Sequence, residues 1–104
     1  MKTIIINAFS INMLSRFSRH DIHFRPLSLE EAREFSEGAE SAVGHADTAR
    51  IFAGQLGCEI AVNRVNVEMV SDTRLLVGQY RGPRLPEGAI ELPEGATIEW
   101  WLVA

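Results

Sequence analysis

Four β-branched residues in a row, Thr3-Ile4-Ile5-Ile6, constrain this chain more than any other feature in it. Branching at Cβ disfavours a helix and suits a pleated surface, and an unbroken apolar run belongs inside a fold. Lys2–Ala8 is therefore expected to be a buried strand. The stretch is too short for a secretory core or a membrane span, and nothing longer in the sequence approaches one. A cytoplasmic protein is expected.

The second firm signal lies between Ala46 and Leu56. Ala49, Phe52, Ala53 and Leu56 fall at i, i+3, i+4 and i+7, one face of a helix, and Gly57 sits where a terminating glycine belongs. Around these two anchors the other elements follow. Ser10 predicts the N-cap of a short helix ending near Phe17. Asp21–Arg25 alternates as a short strand closed by Pro26. Ser28 and Glu31 have the spacing of a capping box, opening a helix to about Glu37, and Gly38–Gly44 reads as a loop. Glu59–Met69 and Thr73–Tyr80 predict an antiparallel pair around a Ser71-Asp72 turn. Thr97–Val103 predicts a last strand. The sum is an α/β fold, a small mixed five-stranded sheet flanked by about three helices, as a single domain over residues 1–104. A core this small would gain from association with a second copy, so a homodimer is expected.

Between Tyr80 and Thr97 the sequence Leu-Pro-Glu-Gly-Ala occurs twice, at 85–89 and 92–96. Each copy suits a type I turn with Pro at i+1 and Gly at i+3. A loop this long in a small domain often covers a site, so 81–96 is read as lid-like.

The charge balance narrows the partners. A formal net charge of −4 argues against long nucleic acid. Yet nine of the ten cationic side chains are Arg, whose planar fork suits phosphate oxygens and whose flat face suits bases. An acidic body with a few focused arginines fits a short anionic ligand in a pocket. The single cysteine, Cys58, permits no intrachain disulfide, which fits a reducing compartment, and reads as core packing rather than as a nucleophile.

Familiar chemical motifs are absent: no Gly-x-x-x-x-Gly-Lys, no His-Glu-x-x-His, no Cys-x-x-Cys. His20 and His23 need not share a face, and no metal site is expected. His45 stands apart because it follows Gly44 at the start of the best-patterned helix, where free N–H groups attract phosphate. Taken alone, that position permits a capping, a packing or a catalytic role.

Three segments then occur in order: Asn7-Ala8-Phe9-Ser10-Ile11-Asn12-Met13, Val43-Gly44-His45 with Thr48-Ala49, and Gln79-Tyr80 followed by Arg84-Leu85-Pro86-Glu87-Gly88. With Asn63-Arg64-Val65 between the second and third, this set resembles the viral anti-CRISPR ring nucleases of type III systems and their bacterial CRISPR-associated relatives. The resemblance runs from about residue 2 to residue 103. It implies a homodimer that binds cyclic tetra-adenylate across its two-fold axis and linearises it without metal or cofactor. Matched position by position, His45 takes the place of the catalytic histidine and Glu87 that of its partner carboxylate. Ser10, Asn12, Arg64, Gln79 and Arg84 take the places of ligand contacts. The chain departs from the pattern at Asp47, where a small hydroxyl residue is expected. The repeat also makes Glu94 a rival to Glu87, although the nearby Arg84 favours Glu87. The same arginines would serve a protein that sequesters the ring uncut. A dimeric DNA-binding regulator fits the acidic charge and the lack of a basic recognition helix less well.

Overall fold

The computed structural model describes residues 1–15 and 21–104. Five strands form one mixed sheet: β1 (Lys2–Ile6), β2 (Phe24–Leu27), β3 (Glu40–Ser41), β4 (Thr73–Arg81) and β5 (Thr97–Val103), in the order β2-β5-β4-β1-β3. β1 runs parallel to both its neighbours, β3 and β4, with Ile4 opposite Leu75 and Ile6 opposite Val77. β4–β5 and β5–β2 are antiparallel.

The β-branched run explains its own position. A strand apolar on both faces must be covered on both, which is the situation of a central parallel strand. Thr3, Ile4, Ile5 and Ile6 are all buried. On one face Ile5 and Leu76 pack with Val43, Phe52 and Trp100 beneath helices α1 (Leu29–Ser36) and α2 (Ala46–Leu56). On the other face Ile4, Ile6, Leu75 and Val77 are covered by Ala42 and Met69, with Phe9, Met13 and Val67 at the margin. α2 buries Ala49, Phe52 and Leu56 as its periodicity requires. α1 begins at the expected capping box. Glu31 N donates to Ser28 Oγ at 3.1 Å, and Ser28 N donates to Glu31 Oε1 at 3.0 Å.

Several expectations fail, each for a physical reason. Glu59–Met69 forms no strand, so the antiparallel pair around Ser71-Asp72 does not exist. β4 is flanked by β1 and β5 instead, leaving the alternating segment no place beside it. It is held at the margin by local bonds: Asn63 N to Val43 O at 2.8 Å, Asn63 Nδ2 to Ser41 O at 2.8 Å, and Met69 N to Met13 O at 2.8 Å. The fifth strand is β3, inside the segment read as a loop, because the chain leaving α1 passes the open edge of β1. Pro26 does not close a strand but lies within β2, an edge strand, where a residue lacking N–H is tolerated. Among the described residues the helical elements are α1, α2 and one 3₁₀ turn. The expected helix after Ser10 is a 3₁₀ turn over Ile11–Met13, its end near Phe17 lying outside the described residues, as does His20. Cys58 is exposed rather than packed in the core. No helix among the described residues is long and apolar enough to cross a membrane.

Candidate functional site

Because β1, β3 and β4 are parallel, their C-terminal ends share one edge of the sheet. The loops leaving that edge carry Ser10, His45 and the segment 82–96. Open sheets place ligand sites at this edge, between neighbouring parallel strands.

His45 is the N-cap residue of α2, with extended backbone (φ −121°, ψ 131°). Its imidazole makes no capping hydrogen bond and is exposed, so neither capping nor packing accounts for it. Arg64 lies directly over the preceding glycine. A Cβ on Gly44 would stand 3.0 Å from Arg64 Cγ, and this is how the bare peptide lets an arginine approach the helix start.

The 82–96 segment is anchored where it leaves β4 by a hydrogen bond from Tyr80 Oη to Pro83 O. Both Leu-Pro-Glu-Gly-Ala copies form turns, but not of the expected type. Ala89 N donates to Pro86 O at 3.1 Å and Ala96 N to Pro93 O at 3.0 Å, which puts Pro at i and Gly at i+2. Gly88 and Gly95 have φ of 80° and 81°, the left-handed value that type II requires there. Glycine is thus used for its backbone freedom within the turn rather than as its exit. Glu87 and Glu94 occupy the i+1 positions.

The first of these turns faces the start of α2. His45, Asp47, Thr48, Arg84, Leu85, Pro86 and Glu87 line an open recess of about 870 Å³. Glu87 stands there and Glu94 does not line it. The recess thus combines an imidazole, a guanidinium, two carboxylates and the first turn of a helix. Groups of these kinds can hold an anion and exchange protons. Among the described residues no group of three or more His, Cys, Asp or Glu is gathered as a metal would need.

The remaining sequence-predicted residues lie elsewhere. Ser10 Oγ accepts from Asn12 N at 3.2 Å, capping the 3₁₀ turn, with Asn12 exposed. Gln79 points to the sheet face opposite the helices. There it lines a second recess of about 350 Å³ with Phe9, Phe24, Val77, Arg81, Trp101 and Val103. The structure therefore brings together His45, Arg84 and Glu87, with Arg64 adjacent to the helix start. Ser10, Asn12 and Gln79 stay apart from them. Thr48, of the Val43-Gly44-His45 and Thr48-Ala49 motif, joins the lining because it is one turn beyond His45.

A family model described as STIV B116-like matches residues 3–99. The chain belongs to the STIV B116-like family. B116 of Sulfolobus turreted icosahedral virus superposes with a TM-score of 0.82 at 28% identity, covering 99% of this chain and 98% of that one. Uncharacterized protein 26 of Sulfolobus islandicus filamentous virus is 35% identical over 71 residues. That alignment takes in 66% of this chain and 59% of the relative, less than two thirds of the relative's length. The B116-like five-stranded sheet is thus the scaffold on which the His45 recess is built.

Proposed function

We propose that this B116-like protein is a metal-independent ring nuclease that binds cyclic tetra-adenylate as a homodimer and cuts it, switching off type III CRISPR signalling in the cytoplasm of a host cell. The observation that carries the reading is His45: an exposed imidazole, unused for capping, sharing one recess with Arg84 and Glu87. This geometry adds to the ordered motifs that resemble the anti-CRISPR ring nucleases.

The chemistry needs no external nucleophile. A ribose 2′-OH held in line attacks the adjacent phosphorus, and the P–O5′ bond breaks as the 2′-O–P bond forms, leaving a 2′,3′-cyclic phosphate. The 2′-OH proton passes to solvent, and His45 gives one to the departing O5′ as general acid. Glu87 orients the imidazole. Arg84 and the N–H groups of α2 stabilise the phosphorane charge. A second copy supplies the symmetry-related half of a ring too wide for one protomer, bringing a second His45 to the opposite scissile bond. The alternating segment 59–69, with Val62 and Val65 exposed and no ladder partner among the described residues, favours such pairing. Ser10, Asn12 and Gln79 are then contacts completed across the dimer, while Arg64 acts beside the His45 of its own chain.

The test is incubation with cyclic oligoadenylates of several ring sizes, with and without chelator. Linear products ending in 2′,3′-cyclic phosphate are expected, at a rate chelator leaves unchanged. His45→Ala should slow cleavage on the order of 10²–10⁴-fold with binding retained. Binding without cleavage by the wild type would make the protein a sequestering one. Strict dependence on a divalent ion would remove the mechanism.

A further inference from the structure

The turn that presents Glu87 has little apolar surface with which to hold itself in place, since Pro86, Glu87 and Gly88 are all exposed. Polar bonds from α2 do the holding. Gly88 N donates to Asp47 Oδ2 at 3.1 Å, and Arg50 Nη1 donates to the carbonyl of Ala89 at 3.1 Å. The same guanidinium reaches Asp47 Oδ1 at 3.5 Å. Asp47 and Arg50 are three apart on the first turns of α2 and so share a face. They grip the two residues immediately after Glu87, and one of the two bonds is to a carboxylate, the stronger kind.

We infer that Asp47 and Arg50 form a latch between α2 and the 84–89 turn that positions Glu87 beside His45; the catalytic consequence rests on the nuclease reading above. Asp47 is the one carboxylate besides Glu87 that lines the recess. Left unengaged, it would oppose an anionic ligand. Its two oxygens are instead taken up by Gly88 and Arg50, which turns a charge unfavourable to phosphate into a fastening for the loop. The roles are distinct: Glu87 faces the reacting groups, whereas Asp47 and Arg50 act through the backbone that carries it.

The experiment compares Asp47→Ala, Asp47→Asn and Arg50→Ala with the wild type in two readouts. Amide exchange of Gly88 in the ligand-free protein reports the latch directly. Steady-state cleavage of cyclic tetra-adenylate, separating kcat from KM, reports its consequence. Asp47→Ala should speed Gly88 exchange on the order of tenfold. It should also lower kcat on the order of 10–100-fold, with KM moving less. Arg50→Ala should lower kcat in the same direction. Asp47→Asn should fall between wild type and Asp47→Ala in both readouts, because an amide oxygen still accepts from Gly88 but lacks the charge that strengthens that bond and engages Arg50. Unchanged Gly88 exchange in Asp47→Ala overturns the latch, as does an Asn variant as impaired as the Ala one. Tighter ring binding in both Asp47 variants would also overturn it, by showing that the carboxylate acts through its charge. A wild type that cleaves no ring refutes the nuclease reading, and the exchange readout still decides the latch.

Discussion

Replacing Gly78 by Ala should destabilise this protein although it adds one methyl group to a buried strand. Gly78 faces the helical layer from the centre of β4. A Cβ there would lie 2.6 Å from Phe52 Cζ and 2.8 Å from Trp100 Cζ3, both below any real contact. These two rings pack against each other with centroids 4.9 Å apart, so neither can retreat without disturbing the other. Phe52 is 1% and Trp100 3% exposed. Overpacking of this kind costs about 1–3 kcal/mol. Alanine also narrows the unfolded ensemble, which returns roughly 0.4–1 kcal/mol where the backbone is compatible, and Gly78 has no positive φ. The net expectation is a loss of about 1–2 kcal/mol, or a Tm lower on the order of 5–10 °C for a domain of this size. Urea unfolding followed by tryptophan fluorescence measures it. A Gly78→Ala/Phe52→Leu double variant should recover part of the loss, because a shorter side chain vacates the space. Gly78→Ala at wild-type stability, or an effect simply additive with Phe52→Leu, would refute the argument.

Other outcomes follow from particular residues. Glu87→Gln should slow cleavage while Glu94→Gln leaves it near wild type, because only the first turn faces His45; equal effects in a kinetic comparison would reject that assignment. Arg84→Ala should weaken ring binding, and titration at rising salt should show the difference from wild type shrinking as the ionic contact is screened. The Ser28 amide and the Arg25 guanidinium hold the Glu31 carboxyl below its ordinary value of 4.5. A depressed carboxylate contributes stability above its unfolded pKa and loses it as pH falls through the folded one. The stability gap between wild type and Glu31→Gln should therefore be full at neutral pH and close below about pH 4.5, as acid unfolding curves would show.

What the sequence disclosed and what it withheld divide along a physical line. Elements set by their own residues were legible: the β-branched run of β1, the 3.6-residue face of α2, and the Ser28–Glu31 box of α1. Elements set by distant partners were not. Glu59–Met69 has the alternation of a strand, but alternation says nothing about which edge is free, and β1 and β5 occupy both sides of β4. β3 is only Glu40–Ser41, too short for any pattern, and exists because β1 has an open edge there. The site shows the same division. His45 was visible through Gly44 and the helix start, and Glu87 through the resemblance. The hold of Asp47 on Gly88 joins residues 41 apart, and no local spacing encodes it.

The duplicated turn gives the loop a unit of length. Residues 85–89 and 92–96 are direct repeats of the same five amino acids, and each folds into the same turn between strands whose ladder closes at Arg81 and Thr97. Because each copy closes on itself, excision of one copy with the two residues between them should leave one complete turn joining Arg81 to Thr97. Each turn is thus a self-contained unit closed by its own hydrogen bond, and only the first carries its glutamate to the recess.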